Sequence, residues 1–482
     1  MEKPYRHALC LHPYYRDSES GSLGIAIFPP TGLEYVAAAL KPHVDKLTLV
    51  DLRLPGPMRD LRYLQNFIAN EIDLLCISIN WEYHFDDVCK LVNSLPSEVL
   101  TVVGGKQATD YLEDVFDACP GVDMVVRGEG EPAIAEIADR VPWTDIPGIS
   151  FRKGSELVHN DERPFQRVDG FHYPDRTLRQ RKYHFTVGGV FFRGEEFDIV
   201  LTSRGCPHKC KFCTFSLSPW GRKRPYSSRD IESVIAEIRE TTAGIILFAD
   251  EDFFVNPGRA KAICDRIVAE GIRKRFLVQS RIEIYKHPEV LESAERAGVK
   301  MLLLGIESPT DRILDQLNKG FTTAELRTAF QSLRRYSFYL HGYFIYGNVT
   351  ETDEEMMRIP VFARELGLDS ISYQKLRIER HSPLRELVEA TPGYYIGDDG
   401  ILYREGVGRP GLKRISARIT RRFYVPTQLL QIARKVLSTR LFSRNMILLS
   451  IFALPMMLIQ NAGRGLRKHM QRSPFWSRLI RM

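Results

Sequence analysis

Three cysteines within eight residues form the pattern in this chain with the clearest chemical consequence. Cys206, Cys210 and Cys213 follow a C-x3-C-x2-C spacing directly after a predicted strand, so they lie on one loop. Thiolate sulfurs suit iron–sulfur clusters and zinc, and a short loop can bring all three to one point. Zinc would need a fourth ligand, for which His208 is the local candidate. The pattern favours a [4Fe-4S] cluster with one open iron over zinc and over three unrelated core cysteines.

The rest of the composition is that of a globular protein. The chain is 44% hydrophobic and 26% charged, which excludes a disordered protein. The other five of its eight cysteines stand singly, so we expect reduced thiols and no disulfide framework. The N-terminal residues lack the apolar core and cleavage site of a signal peptide. These features predict a cytoplasmic protein.

Two consecutive series of alternating strand and helix patterns must position the cysteine loop. Short apolar runs alternate with amphipathic helical patterns, as in βα units around a parallel sheet. In the first series, strands are predicted at residues 7–12, 46–54, 74–80, 100–105 and 124–127. In the second, they are predicted at residues 197–202, 244–249, 276–279, 300–305, 339–346 and 370–376.

This order predicts an α/β protein. We expect a doubly wound, Rossmann-like parallel sheet in residues 1–141 and a partial (β/α)6 barrel in residues 196–400. Residues 142–195 read as a connecting segment with at most a short strand, and residues 401–482 as an α-helical extension. Parallel sheets and barrels bind ligands at the carboxyl ends of their strands, so the functional residues are expected there.

The cysteine loop and three later strand ends resemble the radical S-adenosylmethionine (SAM) superfamily. In that family an aromatic residue, here Phe212, stands between the last two cysteines. The similarity continues at residues 249–254, 279–281 and 305–308, each following a predicted strand. The resemblance implies that SAM binds the open iron and is cleaved by one electron to a 5′-deoxyadenosyl radical.

The same resemblance implies roles for single residues near SAM. One acidic residue of the stretch 250–252, with Glu251 as the first choice, would meet the SAM ammonium group. Gln279 and Arg281 would contact its carboxylate and ribose, and Glu307 would lie close by. A single acidic residue of this kind is more often a helix cap or a solvated loop residue. Their joint register with the cysteine loop supports the functional interpretation.

The first parallel domain resembles the cobalamin-binding domain of the B12-dependent radical SAM enzymes. Residues 29–35, 104–105 and 127–132 are typical of that domain. The implied corrin and nucleotide-tail contacts are Ser78, Asn80, Gly104, Gly105, Gly128 and Glu129. A flavodoxin-like domain, whose glycines only form tight turns, and a vestigial cobalamin fold are the alternatives.

One position departs from the D-x-H-x-x-G loop of the cobalamin-dependent mutases. Asp51 and Gly56 match that loop, but Arg53 stands where the histidine would ligate cobalt. A guanidinium stays protonated and offers only hydrogen-bond donors, so it cannot ligate cobalt. We therefore expect cobalamin to bind without a histidine ligand from this loop.

The C-terminal residues are strongly basic. Residues 406–482 contain 16 Lys and Arg and no Asp or Glu, while the rest of the chain has more acidic than basic residues. The apolar run 446–459 is shorter than the roughly 20 residues that span a bilayer. Peripheral contact with the inner face of the cell membrane is therefore expected. A buried helix with a solvated basic face is the alternative, and nucleic acid is a weaker one.

Together these features predict an enzyme that adds a methyl group to an unactivated carbon. The layout resembles the methylases and ring-modifying enzymes of this family, which implies a small hydrophobic substrate such as a hopanoid, an isoprenoid lipid or a tetrapyrrole. A reductant such as flavodoxin or ferredoxin would supply the electron. The alternatives are a radical SAM cyclase or ring-rearranging enzyme without methyl transfer, and a non-catalytic cobalamin or redox sensor.

Overall fold

Two parallel β-sheets, one in each half of the chain, organise the structure. The computed structural model describes residues 3–15, 28–81, 84–184, 195–213, 222–443 and 446. The first sheet has seven strands in the order β2-β1-β3-β4-β5-β6-β7. Its strands are β1 (Tyr5–His12), β2 (Val44–Asp51), β3 (Leu74–Ser78), β4 (Leu100–Gly104), β5 (Met124–Val126), β6 (Ile149–Lys153) and β7 (Glu156–His159).

Helices cover both faces of this sheet, because its central strands are apolar on both sides. All five residues of β3 are buried, for example. The helices are α1 (Thr31–Leu40), α2 (Leu61–Glu71), α3 (Phe85–Asn93), α4 (Lys106–Asp110), α5 (Leu112–Ala118) and α6 (Gly130–Ala138). Strands β1 to β5 are parallel, whereas β6 and β7 add antiparallel at one edge. The connecting segment thus contributes two strands, where the sequence predicted at most one.

The second sheet is an open barrel of six parallel strands in the order β8-β11-β12-β13-β14-β15. Two further short strands, β9 and β10, pair with each other next to it. The strands are β8 (Phe197–Val200), β9 (Ser203–Arg204), β10 (Ser227–Ser228), β11 (Ile245–Phe248), β12 (Arg275–Ser280), β13 (Val299–Glu307), β14 (Tyr339–Tyr346) and β15 (Ser370–Lys375). The helices are α7 (Ile231–Glu240), α8 (Pro257–Ala269), α9 (Pro288–Ala297), α10 (Asp311–Gln316), α11 (Thr323–Leu333) and α12 (Asp353–Glu365). The predicted α/β class and strand series are confirmed.

Buried ion pairs connect the two halves through the connecting segment. Arg179 donates to Glu34 of α1 at 2.6 Å and to Asp198 of β8 at 2.9 Å. Arg176 contacts Asp198 as well and reaches Glu237 of α7 at 2.8 Å. Every one of these side chains is at most 14% exposed. Because a buried charge without its partner is costly, this network fixes how the two sheets face each other.

The C-terminal extension packs against the barrel. It follows α13 (Leu384–Glu389) and β16 (Tyr394–Ile396), and it contains β17 (Leu402–Arg404), α14 (Gly408–Phe423) and α15 (Pro426–Thr439). Ile432 and Val436 of α15 pack against residues at the amino ends of the barrel strands, while Leu429, Leu430 and Leu437 are more than half exposed. The apolar side chains of this helix are therefore divided between the barrel and solvent.

No helix within the described ranges is both long enough and apolar enough to cross a membrane. The predicted apolar run 446–459 lies outside the described residues except for Met446.

Candidate functional site

The cysteine loop is fastened to the barrel rim through its backbone. Gly205 has a φ of +85°, and a Cβ atom there would lie 2.5 Å from the carbonyl oxygen of Pro225, so only glycine fits. The amide of Lys211 donates to the carbonyl of Leu317 at 3.0 Å, and the Ser382 hydroxyl donates to the carbonyl of Lys211 at 2.7 Å. The loop therefore rests against the segments that follow β13 and β15.

The three thiols of this loop differ in burial. Cys210 is buried, whereas Cys206 and Cys213 are partly exposed. The Arg281 guanidinium lies 3.5 Å from the sulfur of Cys210. Burial raises the pKa of Cys206 to about 11, so its metal-free thiol is protonated at neutral pH and would lose its proton on binding metal. Arg281 would offset the negative charge of a metal-bound Cys210 sulfur.

The described residues hold no group of three or more His, Cys, Asp or Glu side chains already arranged to bind a metal ion. The three thiols therefore fit a cluster through their donor chemistry and their common loop. Cluster binding would have to draw them together.

The acidic stretch after β11 contains three carboxylates with different surroundings. Asp250 is fully buried and accepts hydrogen bonds from the Thr202 amide at 2.6 Å and the Ser203 hydroxyl at 2.7 Å, so it holds the loop before the cysteines. Glu251 accepts from the amide of Gly205 at 3.1 Å. Burial raises the pKa of Asp252 to about 6. The structure thereby gives Asp250 a structural role that sequence patterns had left open.

His208, the candidate fourth ligand of the zinc alternative, lies beside this stretch. Its Nε2 atom is 4.0 Å from a carboxylate oxygen of Asp252. Burial, with Arg281 nearby, lowers the pKa of His208 to about 4, so the ring is neutral at physiological pH.

Gln279 and Arg281 lie at the end of β12, beside the acidic stretch. The carbonyl of Gln279 accepts a hydrogen bond from the amide of Phe253 at 3.0 Å. Arg281 donates to Glu283 at 2.7 Å and also to the carbonyl of Lys319. Strand β12 thus brings the guanidinium between the cysteine loop and the segment after β13.

Glu307 forms a buried ion pair that sequence analysis missed. Its carboxylate accepts from the Lys319 ammonium at 2.9 Å, and the two side chains are 8% and 5% exposed. A Cβ atom on Gly305 would lie 2.7 Å from the carboxylate and 2.8 Å from the ammonium, so glycine leaves room for the pair. Glu307 has a φ of +69°, which costs a non-glycine residue about 1–2 kcal/mol. No spacing signal links residues twelve apart in this way.

In the first sheet, the predicted ligand-binding residues converge at the carboxyl ends of β3 and β4. The side-chain amide of Asn80 donates to the Ser78 hydroxyl at 2.7 Å and accepts from the amide of Lys106 at 3.1 Å. Gly104 pairs with Ser78 across the two strands. A Cβ atom on Gly105, whose φ is +111°, would lie 2.6 Å from Asn80, so this close approach requires glycine. The four predicted residues form one connected edge.

The remaining predicted contacts, Gly128 and Glu129, follow β5. The amide of Gly128 donates to the Thr109 hydroxyl at 3.0 Å. Glu129 pairs with Arg224 at 2.6 Å, which joins the first domain to the segment after the cysteine loop. The carboxylate predicted to contact cobalamin is thus engaged between the domains.

Arg53, at the position of the missing histidine, is also engaged. It pairs with Asp51 at 2.7 Å, and both side chains are buried. The Tyr183 hydroxyl donates to the same carboxylate at 2.8 Å. The charged groups of this segment are thus occupied by contacts with each other and with Tyr183.

Comparison with protein families gives two matches in the expected places. Residues 200–360 match the radical SAM superfamily, and residues 26–138 match the B12 binding domain. The chain is 30% identical over 350 residues to an uncharacterized methyltransferase of Pyrococcus horikoshii, a match covering 71% of this chain and 74% of that protein.

Two further relatives have more specific names. An anaerobic magnesium-protoporphyrin IX monomethyl ester cyclase of Cereibacter sphaeroides is 28% identical over 372 residues, covering 72% of this chain and 58% of that protein. Hopanoid C-3 methylase of Methylococcus capsulatus is 28% identical over 290 residues, covering 58% and 53%. The matches span little more than half of these two relatives.

Solved structures share the fold. The radical SAM methyltransferase TsrM from Kitasatospora setae, with tryptophan substrate and a SAM analogue bound, aligns with a TM-score of 0.69 at 16% identity, covering 88% of this chain and 89% of that one. The cobalamin-dependent SAM radical enzyme OxsB aligns with a TM-score of 0.64 at 15% identity, covering 93% and 75%. The predicted order of a Rossmann-like domain followed by a partial barrel is confirmed.

Proposed function

Because the chain belongs to the cobalamin-binding radical SAM family, we propose that it transfers a methyl group to an unactivated carbon of a small hydrophobic substrate. When bound, the cluster and SAM supply a carbon-centred radical, and cobalamin carries the methyl group. The protein must hold these groups close together and exclude water.

The contact between the cysteine loop and the first domain carries this proposal. Arg204, two residues before Cys206, pairs with Glu131 of α6 at 2.5 Å. On the other side of the interface, Lys106, directly after the Gly104–Gly105 turn, pairs with Glu379 beyond β15 at 2.9 Å. Both contacts join the glycine-rich edge of the first sheet to the rim of the barrel. A methyl donor bound at the edge of the first sheet and a radical formed at the barrel rim would therefore face the same space.

Within this arrangement we assign the cluster to Cys206, Cys210 and Cys213. Arg281 would offset the negative charge of Cys210 and, with Gln279 and Glu307, face SAM, as would a carboxylate of the stretch 251–252. These roles are supported by the family resemblance and by the common location of the side chains at the barrel rim. Exposed Lys209 and Lys211 on the same loop would attract an acidic reductant such as flavodoxin or ferredoxin.

Product mass tests the proposed reaction. The anaerobically reconstituted protein would be incubated with deuteriomethyl-labelled SAM, hydroxocobalamin, a strong reductant and a total lipid extract. We expect 5′-deoxyadenosine and a lipid product heavier by the labelled methyl group, about 17 Da instead of 14. A product without the labelled methyl group would favour cyclisation, the reaction in the name of the Cereibacter sphaeroides relative. Absence of 5′-deoxyadenosine would overturn both methyl transfer and cyclisation, and would favour a non-catalytic cobalamin or redox sensor.

We further propose that α14 and α15 bind anionic lipid. The exposed side of α14 carries Lys413, Arg414 and Arg421, and α15 adds exposed Leu429, Leu430 and Leu437. Basic residues next to exposed leucines are typical of interfacial helices.

Vesicle flotation checks this surface. The full chain is expected to float with phosphatidylglycerol vesicles but not with phosphatidylcholine vesicles, and the Leu429→Ser, Leu430→Ser, Leu437→Ser triple variant is expected to lose most of that binding. Point variants are preferable to removal of residues 406–482, since Ile432 and Val436 cover the barrel. Equal flotation of the variant and the wild type would exclude α15 as the lipid-binding element.

A further inference from the structure

His12, at the carboxyl end of β1, is a buried imidazole without a hydrogen bond among the described residues. The residue is only 2% exposed. Both ring nitrogens are buried and have no hydrogen-bond partner. Tyr14 and Trp81 pack around it with ring centroids 5.0 and 5.4 Å away. Burial, with the Arg53 guanidinium nearby, lowers its pKa to about 3. The ring is therefore neutral and offers one unused donor and one unused acceptor.

Such a group is unfavourable in a protein interior. An unsatisfied buried donor or acceptor is destabilising, and buried polar groups in native proteins are nearly always bonded to protein, water or ligand. The polar groups nearest to His12 are committed elsewhere. Asp51 binds Arg53, and the Tyr14 hydroxyl accepts from the amides of Asn80 and Trp81. No described residue supplies the missing partner.

The position of His12 indicates which ligand that partner belongs to. Leu11 of β1 pairs with Ile77 of β3, so His12 and Ser78 end their strands side by side. Ser78 in turn pairs with Gly104 of β4. The unsatisfied imidazole therefore lies on the edge of the sheet to which cobalamin is assigned, on the strand next to the closed Arg53 segment.

We propose that His12 hydrogen-bonds an amide side chain of bound cobalamin. The corrin ring carries several such amides, each with a donor and an acceptor that match a neutral imidazole. Arg53, in the loop after β2, cannot ligate cobalt, and His12 supplies a polar contact from the end of β1 instead. This inference rests on cobalamin binding by the first domain, as proposed above.

The test uses opposite effects on stability and affinity. His12→Phe keeps an aromatic ring but removes the unsatisfied nitrogens. We expect it to raise the unfolding temperature of the cobalamin-free protein and to weaken hydroxocobalamin affinity about tenfold, measured by absorbance titration. His12→Asn, which retains a donor and an acceptor, should recover most of the affinity.

His341 in the barrel provides a matched control. Its two nitrogens are bonded to Ser370 at 2.7 Å and Ser372 at 3.0 Å, so His341→Phe should lower the unfolding temperature and leave cobalamin affinity unchanged. Wild-type affinity in His12→Phe would overturn the inference, as would loss of stability in its cobalamin-free form. If the electron paramagnetic resonance spectrum of bound cobalt(II) shows nitrogen splitting that His12→Phe abolishes, His12 ligates cobalt directly. That result would overturn the proposed hydrogen bond. Failure of the wild type to bind cobalamin would instead refute the proposed function.

Discussion

Replacing Cys210 with alanine is expected to reduce cluster iron to background and to abolish 5′-deoxyadenosine formation. Cys210 is the buried member of the three thiols, and its sulfur is the one that Arg281 approaches. A three-thiol cluster site has no spare ligand on this loop, so one deletion leaves the cluster incompletely held. Iron and sulfide analysis with the visible absorption of the anaerobically reconstituted protein would measure the loss.

Two matched variants distinguish loss of a cluster ligand from general destabilisation of the protein and from the zinc-site alternative. Cys264→Ala removes another buried thiol, from the apolar core around α8, and should retain the full iron content. His208→Ala should also retain iron, since the cluster needs no fourth protein ligand. A zinc-loaded wild type that loses its zinc in His208→Ala would contradict the cluster assignment.

Residues whose role follows from local pattern could be predicted from sequence. The strand and helix series follow from hydrophobic periodicity, and the cysteines follow from one loop. Gly105 was predicted from the family resemblance, and the structure adds the physical reason for glycine there, because a Cβ atom would lie 2.6 Å from Asn80. For the strands, helices and cysteines, the relevant neighbours are close in sequence or related by a simple repeat.

Residues whose role depends on distant partners could not be predicted. Glu129 resembles a ligand contact by its motif, but its carboxylate faces Arg224, which comes 95 residues later. The extra strands β6 and β7 are specified by pairing at a sheet edge, which a short mixed segment does not reveal. Helix α15 divides its apolar residues between the barrel, which Ile432 and Val436 contact, and solvent, to which its leucines are exposed. Tertiary packing decided each of these cases.

Glu307→Gln is expected to lower both the stability of the protein and its affinity for SAM. The substitution leaves the Lys319 ammonium, which is 5% exposed, without its counterion. Removing one partner of a buried pair costs about 3–5 kcal/mol, and we expect the lower end because glutamine still accepts a hydrogen bond. Urea unfolding would measure the change in the free energy of unfolding.

The double variant Glu307→Gln, Lys319→Met separates the two roles of the carboxylate. Without the buried ammonium, the uncompensated charge is gone, so most of the lost stability should return. SAM affinity, measured by calorimetry on the reconstituted protein, should stay low if Glu307 also contacts SAM. Its recovery to the wild-type value would show that the carboxylate serves only to neutralise Lys319. The backbone of residue 307, with a φ of +69°, would by itself prefer glycine. The presence of glutamate there therefore favours a carboxylate that also contacts SAM, and with it a SAM affinity that stays low.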